Sequence, residues 1–181
     1  TDHNSLELQI IDKIAETPPF ELTASTEALA VLIIELLHDD HREARMRSVS
    51  VISSLAGAWI ERGGTTVTEV DPNTDLGEAV EAFNRAIEAV DDPNYVTRVS
   101  AALDAIDAAP VRDPLIAARL VTGMSRRMAS SPLQTTGNQV IMSTGVRAVL
   151  LALEKGMADY DREVADFCRA NLETIRRYLP E

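Results

Sequence analysis

The 181-residue sequence has a single cysteine, Cys168, so no disulfide can form within the chain. Aromatic residues are scarce at 4%, which leaves a core to be built from alanine, leucine, valine and isoleucine. Alanine and leucine are strong helix formers, and alanine contacts let helices approach closely, so a helical bundle is favoured over a sandwich. Long apolar runs are missing as well. The longest, Leu29 to Leu37, is interrupted by Glu35 and falls far short of the roughly 20 residues a membrane span requires. Positive charge is also in short supply: 29 acidic residues face 17 basic ones, for a net charge of −12. Such a surface repels phosphate backbones, whereas nucleic-acid binders carry a basic stripe. Neither nucleic acid nor a membrane is therefore expected as a partner. The opening Thr1-Asp2-His3-Asn4 lacks a signal-peptide pattern, and the cytosol is the expected compartment.

What is present is clear helix punctuation. Leu6, Ile10 and Ile14 mark one face of a first helix that Pro18-Pro19 must end, because proline lacks the backbone donor. A second helix, from about Ser25 to His38, is apolar nearly all round and is expected near the centre. A third, about Arg42 to Arg62, carries Val49, Ile52, Ala56 and Trp59 on one face, and Gly63-Gly64 supplies its stop. Thr65 to Val70 is the only β-like stretch and is read as a loop or one extended turn. Asp75 opens a capping-box-like start to a stripe of Leu76, Val80, Phe83, Ile87 and Val90. Asp92-Pro93 and Asp113-Pro114 each place a capping carboxylate before a proline at the first helical position. The first opens a helix on Val96, Val99, Leu103 and Ile106, ending near Pro110. The second opens one on Ile116, Leu120 and Met124, ending near Pro132. A seventh helix carries Val146, Val149, Leu150, Leu153 and Met157, and an eighth carries Val164, Phe167, Cys168, Leu172, Ile175 and Leu179.

These elements predict an all-α fold of about eight helices in one domain spanning residues 1–181, with a hinge or loop at 63–75. The architecture is either an irregular antiparallel bundle or a short stack. Leu32, Ile52, Leu103 and Leu172 lie mid-stripe and are expected to be buried, with Cys168 a packed core thiol. Met124, Met128, Met142 and Met157 read as core methionines. Arg42, Arg45 and Arg47, Arg126-Arg127 and Arg176-Arg177 are expected on solvated helix faces.

An internal echo runs through the acidic turns. His38-Asp39-Asp40 precedes Arg47, Ile52 and Leu55, and Asp91-Asp92-Pro93 precedes Arg98, Leu103 and Ile106. A looser copy sets Asp161 before Ala165, Cys168, Leu172 and Ile175. An acidic turn, an arginine and a small-residue and leucine stripe resemble HEAT-like helical repeats, best over Asp91 to Ile106. That resemblance implies a stack of helix pairs.

Chemistry-bearing residues are few. Glu35-x-x-His38 has the spacing of one half of a diiron site, but no second Glu-x-x-His exists to complete it. Leu36-Leu37-His38-Asp39, closing an apolar helix, resembles the central motif of HD-domain metal-dependent phosphohydrolases. The resemblance implies that His3, His38, Asp39 and either Asp104 or Asp107 would converge on a divalent metal that activates water. Read from the residues alone, His38-Asp39-Asp40-His41 is a polar helix-to-helix corner whose aspartate caps the next helix. There is no glycine-rich phosphate loop and no serine nucleophile elbow.

The leading expectation is a helical protein-interaction or scaffold module without a cofactor. Its partner would be a protein with a basic patch or a second copy of the chain, met by Asp39, Asp40, Asp91, Asp92, Asp159 and Asp161 along one edge. Two other readings stay open: the HD-type phosphohydrolase, and a small-molecule sensor with an apolar cavity between helices.

Overall fold

The computed structural model describes Gln9 and residues 26–64 and 69–179. The expected helix on Leu6, Ile10 and Ile14, its Pro18-Pro19 stop, His3, and Thr65 to Thr68 lie outside the described residues. Among the described residues there are seven α-helices and no strand: α1 (Thr26–His38), α2 (Arg42–Glu61), α3 (Leu76–Glu88), α4 (Tyr95–Ala108), α5 (Pro114–Met128), α6 (Gln134–Gly156) and α7 (Arg162–Tyr178).

The punctuation works as carboxylate chemistry predicts. Asp75 Oδ1 accepts from Glu78 N at 3.1 Å at the start of α3, and Asp113 Oδ1 accepts from Leu115 N at 2.9 Å ahead of Pro114 in α5. Asp161 accepts from both Glu163 N and Val164 N at the head of α7. Each aspartate satisfies a donor that the helix itself leaves orphaned. Gly63 ends α2 in the left-handed region, at φ +91°, and Gly64 N reaches back to Trp59 O at 2.9 Å. That conformation is one a side chain would resist.

Two helix starts differ from expectation. At the Asp92-Pro93 start, Asp92 Oδ1 accepts from Asn94 N at 2.8 Å and Asp92 O from Tyr95 N at 2.9 Å. These bonds close one tight turn before the regular helix opens at Tyr95. The larger difference is α6, which runs 23 residues from Gln134, far ahead of the stripe beginning at Val146. Its first half, with Thr135, Thr136, Gly137 and Asn138, has poor helix propensity. Tertiary packing overrides it.

That packing makes α6 the axis of a helical bundle, in contact with α1, α2, α4, α5 and α7. Neighbours distant in sequence close the bundle: α2 packs on α7, and α1 on α5. Close approach to α6 depends on its glycines. A Cβ built on Gly145 would lie 2.7 Å from Trp59 Cζ3, and one on Gly156 would lie 2.5 Å from Cys168 Sγ. At Gly137 the space is taken by the Met128 side chain. Helix-weakening residues in sequence thus become contact points in space. One continuous hydrophobic cluster extends from Leu29 to Ile175 and includes residues of all seven helices. Leu32, Ile52, Leu103 and Leu172 are buried in it as expected. Of the four methionines read as core, Met124 and Met128 are buried and Met142 and Met157 pack partly buried against the same cluster. No helix among the described residues is long and apolar enough to cross a membrane.

Cys168 is fully buried. Burial first, and the nearby Asp159 charge second, push its thiol up to about 11 from the ordinary 9.0. The unfolded thiol therefore ionises before the native one. Its contribution to stability is intact below pH 9 and is lost as pH rises toward 11, by at most about 1.4 kcal/mol per pH unit. Urea denaturation at pH 8 and pH 10.5, compared between the wild type and Cys168→Ala, should show a steeper alkaline decline in the wild type. Equal declines would show that the thiol does not titrate differently in the two states.

Candidate functional site

The acidic turns show first what this sequence does with its arginines. Arg45 was expected on a solvated face, but its side chain is only 4% exposed. The stripe Val49, Ile52, Ala56 and Trp59 extends one turn back onto it, so its position on the buried face of α2 was readable from spacing alone. Arg45 Nε donates to Asp159 Oδ2 at 2.8 Å, its NH2 group to Asp159 Oδ1 at 3.3 Å, and NH1 to Asp39 O at 2.9 Å. The Tyr160 ring lies over the guanidinium, 4.9 Å from centroid to Cζ. Arg42 extends the network outward, pairing with Asp161 at 2.9 Å and with Glu163. One arginine pair thus locks the α1–α2 corner to the α6–α7 corner.

Asp39 and the Asp159–Asp161 turn therefore meet. Their carboxylates are occupied at the corners: Asp39 Oδ1 accepts from His41 N at 2.6 Å, and Asp159 Oδ1 from Asp161 N at 2.8 Å. Asp39 caps the corner turn and not α2 itself, whose N-cap His41 makes no side-chain cap bond. Asp40 and Asp91 are exposed. Asp92 pairs with Arg98 at 2.9 Å, and its turn sits beside the start of α6, since Tyr95 Oη lies 2.7 Å from Ser131 Oγ. The Asp159 turn follows the far end of the same helix, and 23 residues of helix span about 34 Å. The expected single acidic edge is accordingly not formed. Two turns join, and the third lies a helix length away.

The residues implied by the HD-type resemblance separate in a similar manner. His3 lies outside the described residues. His38 is the exposed last residue of α1, and Asp104 is exposed on α4. Asp107 is buried at the end of α4, with Oδ1 3.6 Å from Arg147 NH2, while that nitrogen donates to the Asp107 carbonyl at 2.7 Å. Among the described residues, no three of His, Cys, Asp and Glu gather as a metal site would need.

A concave feature opens at a place the sequence does not mark. It is a groove of about 500 Å³ between α3 and α5, floored by Ile106 of α4 and Phe83. The α3 stripe supplies Leu76, Val80 and Phe83, and the α5 stripe Ile116, Leu120 and Met124. Both stripes were legible as apolar faces, but they do not close on each other. Leu76, Val80 and Leu120 stay half-buried, and Ile116 is 43% exposed. The C-terminal ends of the two helices are tied by Arg127 NH1 and Glu88 Oε1 at 3.3 Å. Gly123 stands in the α5 wall, and a Cβ built there meets nothing within 4 Å. Among the described residues, polar lining is confined to Asn84, Arg119 and Arg127.

Comparison with protein-family models, curated proteins and solved structures finds no match to this chain.

Proposed function

We propose that the protein is a ligand-binding module, a sensor of a small apolar molecule held in the groove between α3 and α5. The observation that carries this reading is the open apolar lining itself. Phe83, Val80, Leu120 and Met124 border about 500 Å³ of unfilled space, a volume within the ~300–1,000 Å³ usual for small-molecule sites. An apolar ligand would remove these side chains from water, the main driving force for such binding. A few polar groups at the margin would fix its orientation. The protein-interaction reading has less support at the acidic turns, because Asp92, Asp159 and Asp161 are neutralised by Arg98, Arg45 and Arg42.

Gly123 offers a direct test, since it lines the groove and a Cβ built there meets nothing within 4 Å. Gly123→Ala should keep binding and raise stability by up to about 1 kcal/mol, because alanine is the better helix former. Gly123→Leu should set a branched side chain across the groove and obstruct it. With the neutral fluorophore N-phenyl-1-naphthylamine, wild type and Gly123→Ala should show saturable fluorescence enhancement. Gly123→Leu should show none while melting no lower than the wild type. Absence of binding by the wild type, or undiminished binding by a folded Gly123→Leu, would overturn the proposal.

A further inference from the structure

We infer that the groove's ligand is a single-chain amphiphile with an anionic head, a carboxylate held by Arg119, with its chain laid along Leu120, Gly123 and Phe83. This inference rests on the groove being a ligand site and adds the chemical class of the ligand. The chain carries 29 acidic residues against 17 basic ones, yet among the described residues the only charged ones lining the groove are Arg119 and Arg127. On an acidic protein, a concavity with cations alone is selective for an anion.

The two arginines are not equivalent. Arg127 already faces Glu88 at 3.3 Å. Arg119 has no ion-pair partner among the described residues. They stand eight residues apart on one helix, a rise of about 12 Å. The lining between them is apolar, supplied by Leu120, Gly123 and Met124. One charged end followed by an apolar track matches an amphiphile better than a compact anion, which would leave the track empty, or a plain hydrocarbon, which would leave the guanidinium unused. The planar fork of arginine can take a carboxylate through two parallel hydrogen bonds.

Titration calorimetry with dodecanoate, dodecanol and dodecyltrimethylammonium, each below its micelle concentration, tests the inference. Dodecanoate should bind at least about tenfold more tightly than dodecanol, as a charged hydrogen bond implies, and the cationic analogue most weakly. Lengthening the carboxylate chain by one methylene should tighten binding by up to about fourfold. Arg119→Gln should reduce dodecanoate to the dodecanol level and leave dodecanol itself unchanged. Arg127→Gln should change less. Equal affinity for all three, or a dodecanoate affinity indifferent to Arg119→Gln, would overturn the anionic head while the groove reading stood. Binding of the neutral fluorophore without any of the three would overturn the single-chain amphiphile, whereas no binding by any probe would remove the groove reading itself. A dimer in sedimentation that Gly123→Leu disperses would assign the groove to a second copy and overturn the inference.

Discussion

Arg45→Met should lower unfolding stability by about 3–5 kcal/mol, because it leaves the Asp159 carboxylate buried without its cation. Asp159 is only 9% exposed, and its partner 4%. Water cannot readily replace the guanidinium. The same substitution also removes the donor to Asp39 O, so the α1–α2 corner loses its tie to the α6–α7 corner. Arg45→Lys should fall between the two, since a lysine keeps the charge but cannot present Nε, NH1 and NH2 to three acceptors at once. The decisive comparison is the double variant Arg45→Met with Asp159→Leu. It removes the stranded charge together with its partner, and should be less destabilised than Arg45→Met alone. Urea denaturation of the wild type, Arg45→Met, Asp159→Leu and the double variant measures this, with Arg45→Lys alongside. A double variant whose loss is the sum of the single losses would show that the pair is not energetically coupled.

This network also shows where sequence reading stops. Helix starts and stops are local chemistry, and Asp75, Asp113, Asp161 and Gly63 announce them with a side chain or a backbone freedom that few other residues supply. Burial of Leu32, Ile52, Leu103 and Leu172 follows from helical spacing. The charge of Arg45 points to a solvated face, whereas the stripe through Val49 and Ile52 places it on the inner face. Its partner Asp159 lies 114 residues away, and no local pattern joins the two. The groove was half legible. The stripes on α3 and α5 show which faces are apolar, but not whether another element covers them. Here α3 is held mainly by α4 and touches α5 only sparingly, so part of each stripe stays open and available to a ligand.

The central helix leads to the second large effect, through the contact of Gly145 with Trp59. Trp59 is 5% exposed, and three atoms of its ring would lie within 3.0 Å of a Cβ on Gly145. A buried indole packed on all sides cannot move aside cheaply. Gly145→Ala should therefore cost about 1–3 kcal/mol by overpacking, even though alanine is intrinsically the better helix former by about 1 kcal/mol. Trp59→Ala should cost about 3–5 kcal/mol, the usual range for emptying so large a core site. The two changes should not add. Once the ring is gone, the methyl group of Gly145→Ala enters empty space, and only the propensity gain and a small filling of the cavity remain. In the Trp59→Ala background Gly145→Ala should thus become neutral or stabilising, a reversal of sign that a double-mutant cycle of denaturation midpoints would register. If Gly145→Ala cost the same in both backgrounds, its penalty would arise within α6 itself, and the close approach of α2 to α6 at this glycine would not be what holds the bundle's axis in place.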